Sequence, residues 1–441
     1  MKTLSKSIAI LIILTMIISV LNFGGVFAAG GDSASEQATL SADEPRQMEY
    51  LSRGAIGAAV SGGVFMSWRL LGSEPMDTKF NVYCNGSLIA ENLDATNYTH
   101  TGGSPSNNYQ IAPVIDGEVG LLSKSVEILT DFADYPYVHI DLVKPDGGST
   151  SSGSFEYTAN DCSVGDVDGD GEYEIILKWE PTNSKDNSQS GYTGNVLLDC
   201  YKLDGTRVWS QNIDLGVNIR AGAHYTQFMV YDFDGDGKAE IACKTAPGSK
   251  DATGAYVTEA GATGAIRSAD NGKDYRTSRG VPLDGPEYLT VFSGETGEAL
   301  QTVDYDPPRD ITSSWGDNYG NRSERYLAAV AYLDGVHPSI LMCRGYYTYA
   351  YIAAYTWDGT NLTEQWLYSG ERNSSTTKYA DGSTKTSDIT LYGQGNHNLS
   401  VADIDNDGYD ELIYGAAALD HDGTPIYNKG WGHGDATHVG D

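Results

Sequence analysis

Hydrophobic residues in this chain alternate with polar ones or run apolar over strand lengths, and turn pairs separate the runs. Between about Met48 and Thr130 the runs are V-F-M-S-W-R-L-L (64–71), F-N-V-Y-C (80–84) and Y-Q-I-A-P-V (109–114), divided by N-G and D-G pairs. Period-two patterning with such turns predicts antiparallel hairpins. Trp68, on an early strand, is expected in the core of a small fibronectin type III-like β-sandwich. No catalytic constellation stands out here, so the expected role of this module is structural.

After Asp134 the pattern becomes a loose repeat. Each unit opens on an acidic loop, continues as an apolar strand and turns through a D-G or T-G hairpin, as at 201–209, 291–300, 355–362 and 419–427. No amphipathic helix of useful length appears. Radial repetition of small antiparallel sheets is how a β-propeller avoids long exposed edges. The expected fold is therefore all-β, with a sandwich over 46–133 and a β-propeller over 134–441. Two polar stretches, 249–278 and 370–390, read as inserted loops on one rim.

The N-terminus follows a different pattern. Lys2 and Lys6 precede an apolar run from Ile8 to Leu21, and Val26-Phe27-Ala28 offers small residues at the −3 and −1 positions. This predicts a signal peptide over 1–28 with a polar segment over 29–45 after it, hence a secreted protein with no membrane span once cleaved. The formal charge of −32 becomes −34 when the two lysines of 1–28 are removed (−32 − 2). So acidic a surface excludes nucleic acid as a partner. Five widely spaced cysteines without a Cys-x-x-Cys pair argue against zinc ribbons and redox dithiols, and isolated thiols are expected.

The acids are concentrated in three loops of one spacing: D-V-D-G-D-G-E-Y-E (166–174), D-F-D-G-D-G-K-A-E (232–240) and D-I-D-N-D-G-Y-D-E (403–411). Carboxylates at positions 1, 3 and 5, glycine at 6 and glutamate at 9 can converge on one hard cation. The expected Ca²⁺ ligands are Asp166, Asp168, Asp170 and Glu174; Asp232, Asp234, Asp236 and Glu240; and Asp403, Asp405, Asp407 and Glu411. Position 7 contributes its backbone carbonyl, so Glu172, Lys238 and Tyr409 can all occupy it. The final acid at position 9 and the flanking strands separate these loops from EF-hands. Calcium here is first a folding device, because bare carboxylates would repel one another across each loop.

More specific text follows. G-Q-G-N-H-N-L-S-V-A-D-I-D-N-D-G-Y-D-E-L (393–412), L-D-H-D-G (419–423) and G-H-G-D-A-T-H-V-G-D (432–441) stand near the end. T-A-N-D-C-S-V-G-D-V-D-G-D-G (158–171), P-T-N-S-K-D-N-S-Q-S-G-Y-T-G (181–194) and R-A-G-A-H-Y-T-Q-F (220–228) lie upstream. From about residue 45 onward the chain resembles the rhamnogalacturonan lyases of polysaccharide lyase family 11. The resemblance implies an eight-bladed propeller, several bound Ca²⁺ ions, and a monomer acting on rhamnogalacturonan I, the rhamnose–galacturonate backbone of pectin. The implied reaction is β-elimination: a base takes the C5 proton of galacturonate and the C4–O bond breaks. A cation on the neighbouring carboxylate stabilises the enolate-like intermediate.

By the same resemblance, His397 and His433 line the central cleft beside a calcium ion, with Asp420, His421 and Asp435 flanking that region. Imidazole is an unusual calcium ligand by hardness. Asn160 would contact substrate and Asp161 would join the nearby calcium loop. Glu180 stands where the family carries an aspartate, and His224 is a further cleft candidate.

The sequence stops at Val439-Gly440-Asp441, which reads as the opening of a fourth acidic loop. At about 40–50 residues per blade, 134–441 supplies about five to six blades. The expectation is a fragment whose catalytic base, an arginine or lysine in the family, lies downstream of Asp441. Two other classes use similar loops. A non-catalytic calcium-binding propeller for adhesion or carbohydrate binding needs no base. A glycoside hydrolase needs two positioned carboxylic acids, whereas most acids here are committed to metal.

Overall fold

A computed structural model describes residues 45–130 and 137–440. The signal-peptide expectation and nearly all of 29–45 lie outside the described residues. The described chain is built from β-strands, with only short helical turns at Val257–Glu259, Gly264–Arg267 and Thr312–Trp315.

The N-terminal part forms two four-stranded sheets. One orders Asn97–Thr101, Gly63–Ser67, Ile56–Val60 and Glu127–Leu129, the last pairing parallel to its neighbour. The other orders Ser87–Leu93, Lys79–Cys84, Tyr109–Ile115 and Glu118–Val119. Their inward residues make one core of Val64, Met66, Trp68, Phe80, Val82, Tyr109 and Ile111. Trp68 meets Phe80 edge-on, with ring centroids 5.6 Å apart.

From Tyr157 onward the chain lays down four antiparallel sheets, each in sequence order. The first holds Tyr157–Gly165, Glu174–Pro181, Leu197–Tyr201 and Ile213–Asp214. The second holds Phe228–Tyr231, Glu240–Thr245, Tyr288–Ser293 and Ala299–Asp304. The third begins with Tyr326–Ala331, Ser339–Arg344, Ala350–Trp357 and Leu362–Gly370. The fourth holds Ser400–Ala402, Glu411–Tyr414, Ala417–Leu419 and Pro425–Asn428. These four sheets are fewer than the five to six units expected by length. Long loops between second and third strands, 182–196 and 246–287, lengthen the first two units.

The segment 370–390 also departs from expectation. It is a hairpin, Ser375–Tyr379 with Thr384–Ser387, that widens the third sheet to six strands. Its polar composition reads as loop, but threonine is β-branched and suits a pleated surface. Ser375 and Thr377 are buried there. The stretch 249–278 contains no strand.

Meander order fixes what shares an end. The connections between first and second strands, and between third and fourth, lie at one end of each sheet. The connections between second and third strands, and from sheet to sheet, lie at the other. All three acidic loops join first to second strands, so they fall at one end. The turns at Gly205, Gly297, Gly359 and Gly423, each with positive φ, fall there too. In the third sheet the corresponding connection carries one acid, Asp334. It accepts the Val336 and His337 amides at 2.8 and 2.7 Å and meets His337 Nδ1 at 2.8 Å.

The N-terminal segment 46–52 runs across this end and touches all four sheets. Arg46 donates to Asp410 at 3.0 Å, and the Gln47 amide donates to Val336 O at 2.7 Å. The Gln47 side chain reaches Asp232 O at 3.5 Å, and the Ser52 amide donates to Gly171 O at 2.7 Å. Glu49 lies between them, accepting from Tyr173 at 3.3 Å.

Candidate metal sites and cleft

Each acidic loop is folded by its own carboxylates. Asp166 accepts the amides of Gly169 (2.8 Å), Asp170 (3.1 Å) and Gly171 (2.7 Å), and Glu174 accepts Val167 N at 3.0 Å. Asp232 accepts Gly235 (2.8 Å) and Gly237 (3.0 Å), and Glu240 accepts Phe233 N at 3.0 Å. Asp403 accepts Asp407 (3.1 Å) and Gly408 (3.0 Å), and Glu411 accepts Ile404 N at 2.7 Å. Asp166, Asp168 and Glu174 converge with ligand atoms within 4.8 Å of one another, as do Asp232, Asp234 and Glu240, and Asp403, Asp405 and Glu411.

In the second and third clusters the carboxylates raise one another's pKa. Burial, then the Asp234 carboxylate, pushes Glu240 up to about 9. Burial, then Asp405 and Asp407, pushes Glu411 up to about 7. Glu411 is fully buried, and its Oε1 has no hydrogen-bond partner among the described residues. An orphaned carboxylate oxygen facing other carboxylates fits a hard divalent cation.

The other candidates of the loops behave differently. Asp170 accepts the Glu172 amide at 2.9 Å and Asp236 accepts the Lys238 amide at 2.8 Å, and neither joins its convergent triplet. The position-7 side chains are engaged elsewhere. Glu172 accepts from Ser52, Lys238 meets Glu295 at 2.6 Å, and Tyr409 stacks on His421 with centroids 4.4 Å apart. That leaves only their backbone carbonyls to face an ion. Asp161 is exposed and pairs with Lys178 at 2.6 Å. The first loop has a cation of its own: Lys202 Nζ contacts Asp168 and lies 3.5 Å from Asp170 and 3.7 Å from Glu174.

Asp420 and His421 do not flank His397. They sit on the hairpin that follows the third strand of the fourth sheet, so meander order puts them at the acidic-loop end. His421 Nδ1 lies 2.7 Å from Asp420 and 4.0 Å from Asp407, and His421 groups with Asp407 and Glu411. Strand reversal separates them from His397 despite a short sequence distance.

The opposite end of the sheets gathers a second constellation. His397 leads into the fourth sheet and His433 follows its last strand. Their Nε2 atoms are 3.1 Å apart, and Asp435 completes a potential ligand triplet. His433 Nδ1 lies 2.9 Å from the Gly395 carbonyl, an acceptor only, so Nδ1 carries the hydrogen and the Nε2 lone pair is free. The Asn396 side chain accepts the Gly434 amide at 3.0 Å, and Asp435 O accepts the His397 amide at 3.1 Å. These bonds tie the two histidine segments together.

His224, from the connection between the first and second sheets, packs its ring 4.8 Å from His397. Burial, then Arg325 and His397, lowers its pKa to about 4, so the ring is neutral. Burial likewise lowers His433. Asp186 Oδ2 lies 3.9 Å from His224 Nε2. Tyr346 stacks on His433 at 5.2 Å and an interplanar angle of 10°. Asn160 is exposed in a bulge between Ala159 and Cys162, toward this end of the first strand, and Glu180 pairs with Thr158 beside it. Sequence reading missed Asp186, Arg325, Tyr346 and Tyr347, the last with its ring centroid 4.3 Å from that of His433. Only the aromatic run at 346–347 offered a signal, and thirty tyrosines diluted it.

The family model described as the C-terminal domain of rhamnogalacturonan lyase family 11 matches residues 137–441. The model of the rhamnogalacturonan I lyase beta-sheet domain matches 46–129. Rhamnogalacturonan endolyase YesW of Bacillus subtilis (strain 168) is 50% identical over 398 residues, covering 90% of this chain and 59% of that protein. Rhamnogalacturonan exolyase YesX of the same organism is 51% identical over 399 residues, covering 90% and 60%. The crystal structure of exotype YesX superposes with a TM-score of 0.78, covering 90% of this chain and 61% of that one at 50% identity. The Bacillus licheniformis rhamnogalacturonan lyase structure gives a TM-score of 0.76 at 52% identity, covering 90% and 63%. The chain thus spans about six tenths of the length of the curated relatives it matches.

Proposed function

Because this chain belongs to rhamnogalacturonan lyase family 11, we propose that it serves a secreted enzyme that cleaves the rhamnose–galacturonate backbone of pectin by calcium-assisted β-elimination. The fold we propose is a fibronectin type III-like sandwich followed by blades of an eight-bladed β-propeller. Four consecutive meanders of common polarity support it.

The observation that carries the chemistry is the convergence of His397, His433 and Asp435 at the end of the sheets away from the acidic loops. These three would hold a divalent cation, which when bound neutralises the galacturonate carboxylate and so acidifies the C5 proton. The Gly395 carbonyl keeps the His433 Nε2 lone pair turned toward that position. His224, Asn160 and Glu180 are assigned to sugar contacts. The three acidic loops, with Asp420 and His421 beside the third, are assigned a structural role in holding strands together.

Relatives named for endo and exo cleavage stand at 50% and 51% identity, so overall identity does not select a mode. The test is incubation of the full gene product with rhamnogalacturonan while following the ultraviolet absorbance of unsaturated uronates, together with calorimetric titration of oligosaccharide. A rise that a chelator abolishes supports calcium-assisted elimination. Oligosaccharide binding without any rise would favour the carbohydrate-binding alternative. Absence of both would reject the substrate assignment.

A further inference from the structure

Two histidines of the cleft stand on different supports. Behind His433 is a carbonyl, which can only accept. Behind His224 is the Tyr346 hydroxyl, 3.1 Å from Nδ1. A hydroxyl can donate or accept, so this contact alone leaves the tautomer of His224 open.

Arg325 closes the choice. Its Nη1 donates to the Tyr346 hydroxyl oxygen at 3.2 Å, and guanidinium has no acceptor to offer in return. The guanidinium is itself held by Asn321, with Nε donating to its carbonyl at 2.7 Å and Nη2 to its Oδ1 at 2.9 Å. Tyr346 is fully buried, and its hydroxyl has no partners besides Arg325 and His224 among the described residues. If His224 Nδ1 carried the hydrogen, the phenolic hydrogen would be buried without an acceptor, which disfavours that arrangement by about tenfold or more. The arrangement that satisfies every group has Arg325 donating to Tyr346 and Tyr346 donating to Nδ1. The hydrogen of the neutral ring then sits on Nε2.

We infer that Arg325 and Tyr346 are positioning residues that fix His224 as its Nε2–H tautomer; with Asp186 Oδ2 at 3.9 Å, beyond hydrogen-bond reach, Nε2–H is a dedicated donor open to a uronate oxygen in the cleft. His224 is thereby the opposite tautomer to His433. One imidazole offers a lone pair and the other offers a hydrogen, although both rings touch His397. His224 Nε2 is then no ligand for a cation. The donor role rests on the function proposed above, whereas the tautomer assignment does not.

The test begins with ¹⁵N-histidine-labelled protein and two-bond ¹H–¹⁵N correlation spectra, with the His224 signals identified by their loss in His224→Gln. The wild type is expected to show Nε2–H at His224 and Nδ1–H at His433. Tyr346→Phe keeps the stacked ring but removes the hydroxyl, and Arg325→Met removes the bias while keeping the hydroxyl. Each is expected to convert His224 to the other tautomer or to a mixture. An Nδ1–H signal at His224 in the wild type, or an unchanged tautomer in Arg325→Met, overturns the assignment.

The donor role is read from calorimetric binding of rhamnogalacturonan oligosaccharide. Tyr346→Phe is expected to weaken binding about tenfold. Glutamine at 224 can place an N–H donor where Nε2 stood, so Tyr346→Phe should change binding by less than about twofold in the His224→Gln background. Equal losses in both backgrounds would reduce Tyr346 to a packing residue and overturn the relay. If the wild type binds no oligosaccharide, the donor role falls with the proposed function, while the spectra still decide the tautomer.

Discussion

The chain concentrates buried carboxylates in two kinds of place and treats them in opposite ways. In the acidic loops they face one another, and Glu240 is pushed up to about 9. Between the second and third sheets, Glu324 is buried and Glu287 nearly so, both among cations. Lys244 reaches Glu287 at 2.9 Å, and Arg309 reaches Glu287 at 2.7 Å and Glu324 at 2.8 Å. Arg344 contacts Glu287 and reaches Glu324 at 3.1 Å, and the Tyr326 hydroxyl lies 3.1 Å from Glu287 and 2.7 Å from Glu324, with one hydrogen to donate to either. Burial opposes the charge of Glu287, yet Arg344, Lys244 and Arg309 hold it well below the ordinary range. On the proposed reading the first arrangement takes up cations from outside; the second carries its own. On that reading the order of the loops depends on ion supply, whereas the buried ion-pair cluster stays ordered without it.

The largest expected effect follows from removing ions. At a free-ion concentration about one hundred times Kd, each site contributes about 2.7 kcal/mol, so three loops lose roughly 8 kcal/mol in chelator. Calorimetry should show a large fall in Tm, and an unchanged Tm would break the comparison. The chelated protein should also respond to pH in an unusual direction. Glu240 and Glu411, at about 9 and about 7 when folded against an ordinary 4.5, hold protons that the unfolded chain releases. Stability therefore falls as pH rises from about 4.5 toward 9. Glu287 has the opposite sign: its contribution is present above its unfolded value and is lost only as pH falls through its depressed folded value. Melting in chelator should accordingly be higher at about pH 5 than at about pH 8. A rise of Tm with pH over that range would contradict it.

Next in size is Arg344→Met. It leaves two buried acids short of a partner and should cost about 3–5 kcal/mol, read by denaturant unfolding with saturating calcium. A loss that calcium rescues would show that the two regions are not independent. The smallest effect sharpens the comparison from within. The first loop already holds Lys202, whose pKa the hydrogen bond to Asp168 raises. Lys202→Met should cost the metal-free protein no more than about 1 kcal/mol and should tighten ion binding at that loop alone. Lanthanide luminescence titration checks it, and equal affinity before and after would show that the ammonium does not compete.

How much of this is readable in the sequence depends on the range of the signal. The acidic loops and the glycine turns are local. The glycine at the sixth loop position (Gly171, Gly237 and Gly408) and the D-G and T-G pairs dictate backbone shape within a few residues, so text alone locates them. The hairpin at 375–387 escapes such reading because serine and threonine serve turns and strands alike. The partition of Asp420 and His421 from His397 needs the strand directions. Arg325 gives no usable signal, since an arginine beside a strand looks like any solvated charge until its partners are known, and the aromatic run that holds Tyr346 is diluted by the other tyrosines. Lys244, Glu287, Arg309, Glu324 and Arg344 are spread over about a hundred residues and meet only in the folded chain.

The segment 46–52 has a consequence for the order of assembly. It leaves the ribosome before any of the sheets it binds, yet its contacts are with Gly171, Asp232, Val336 and Asp410. Arg46 and Asp410 are separated by 364 positions. Contacts so distant carry a loop-closure cost that nearer ones repay first. The earliest part of the described chain to be made is thus among the last to dock, a latch that closes only over sheets already in place.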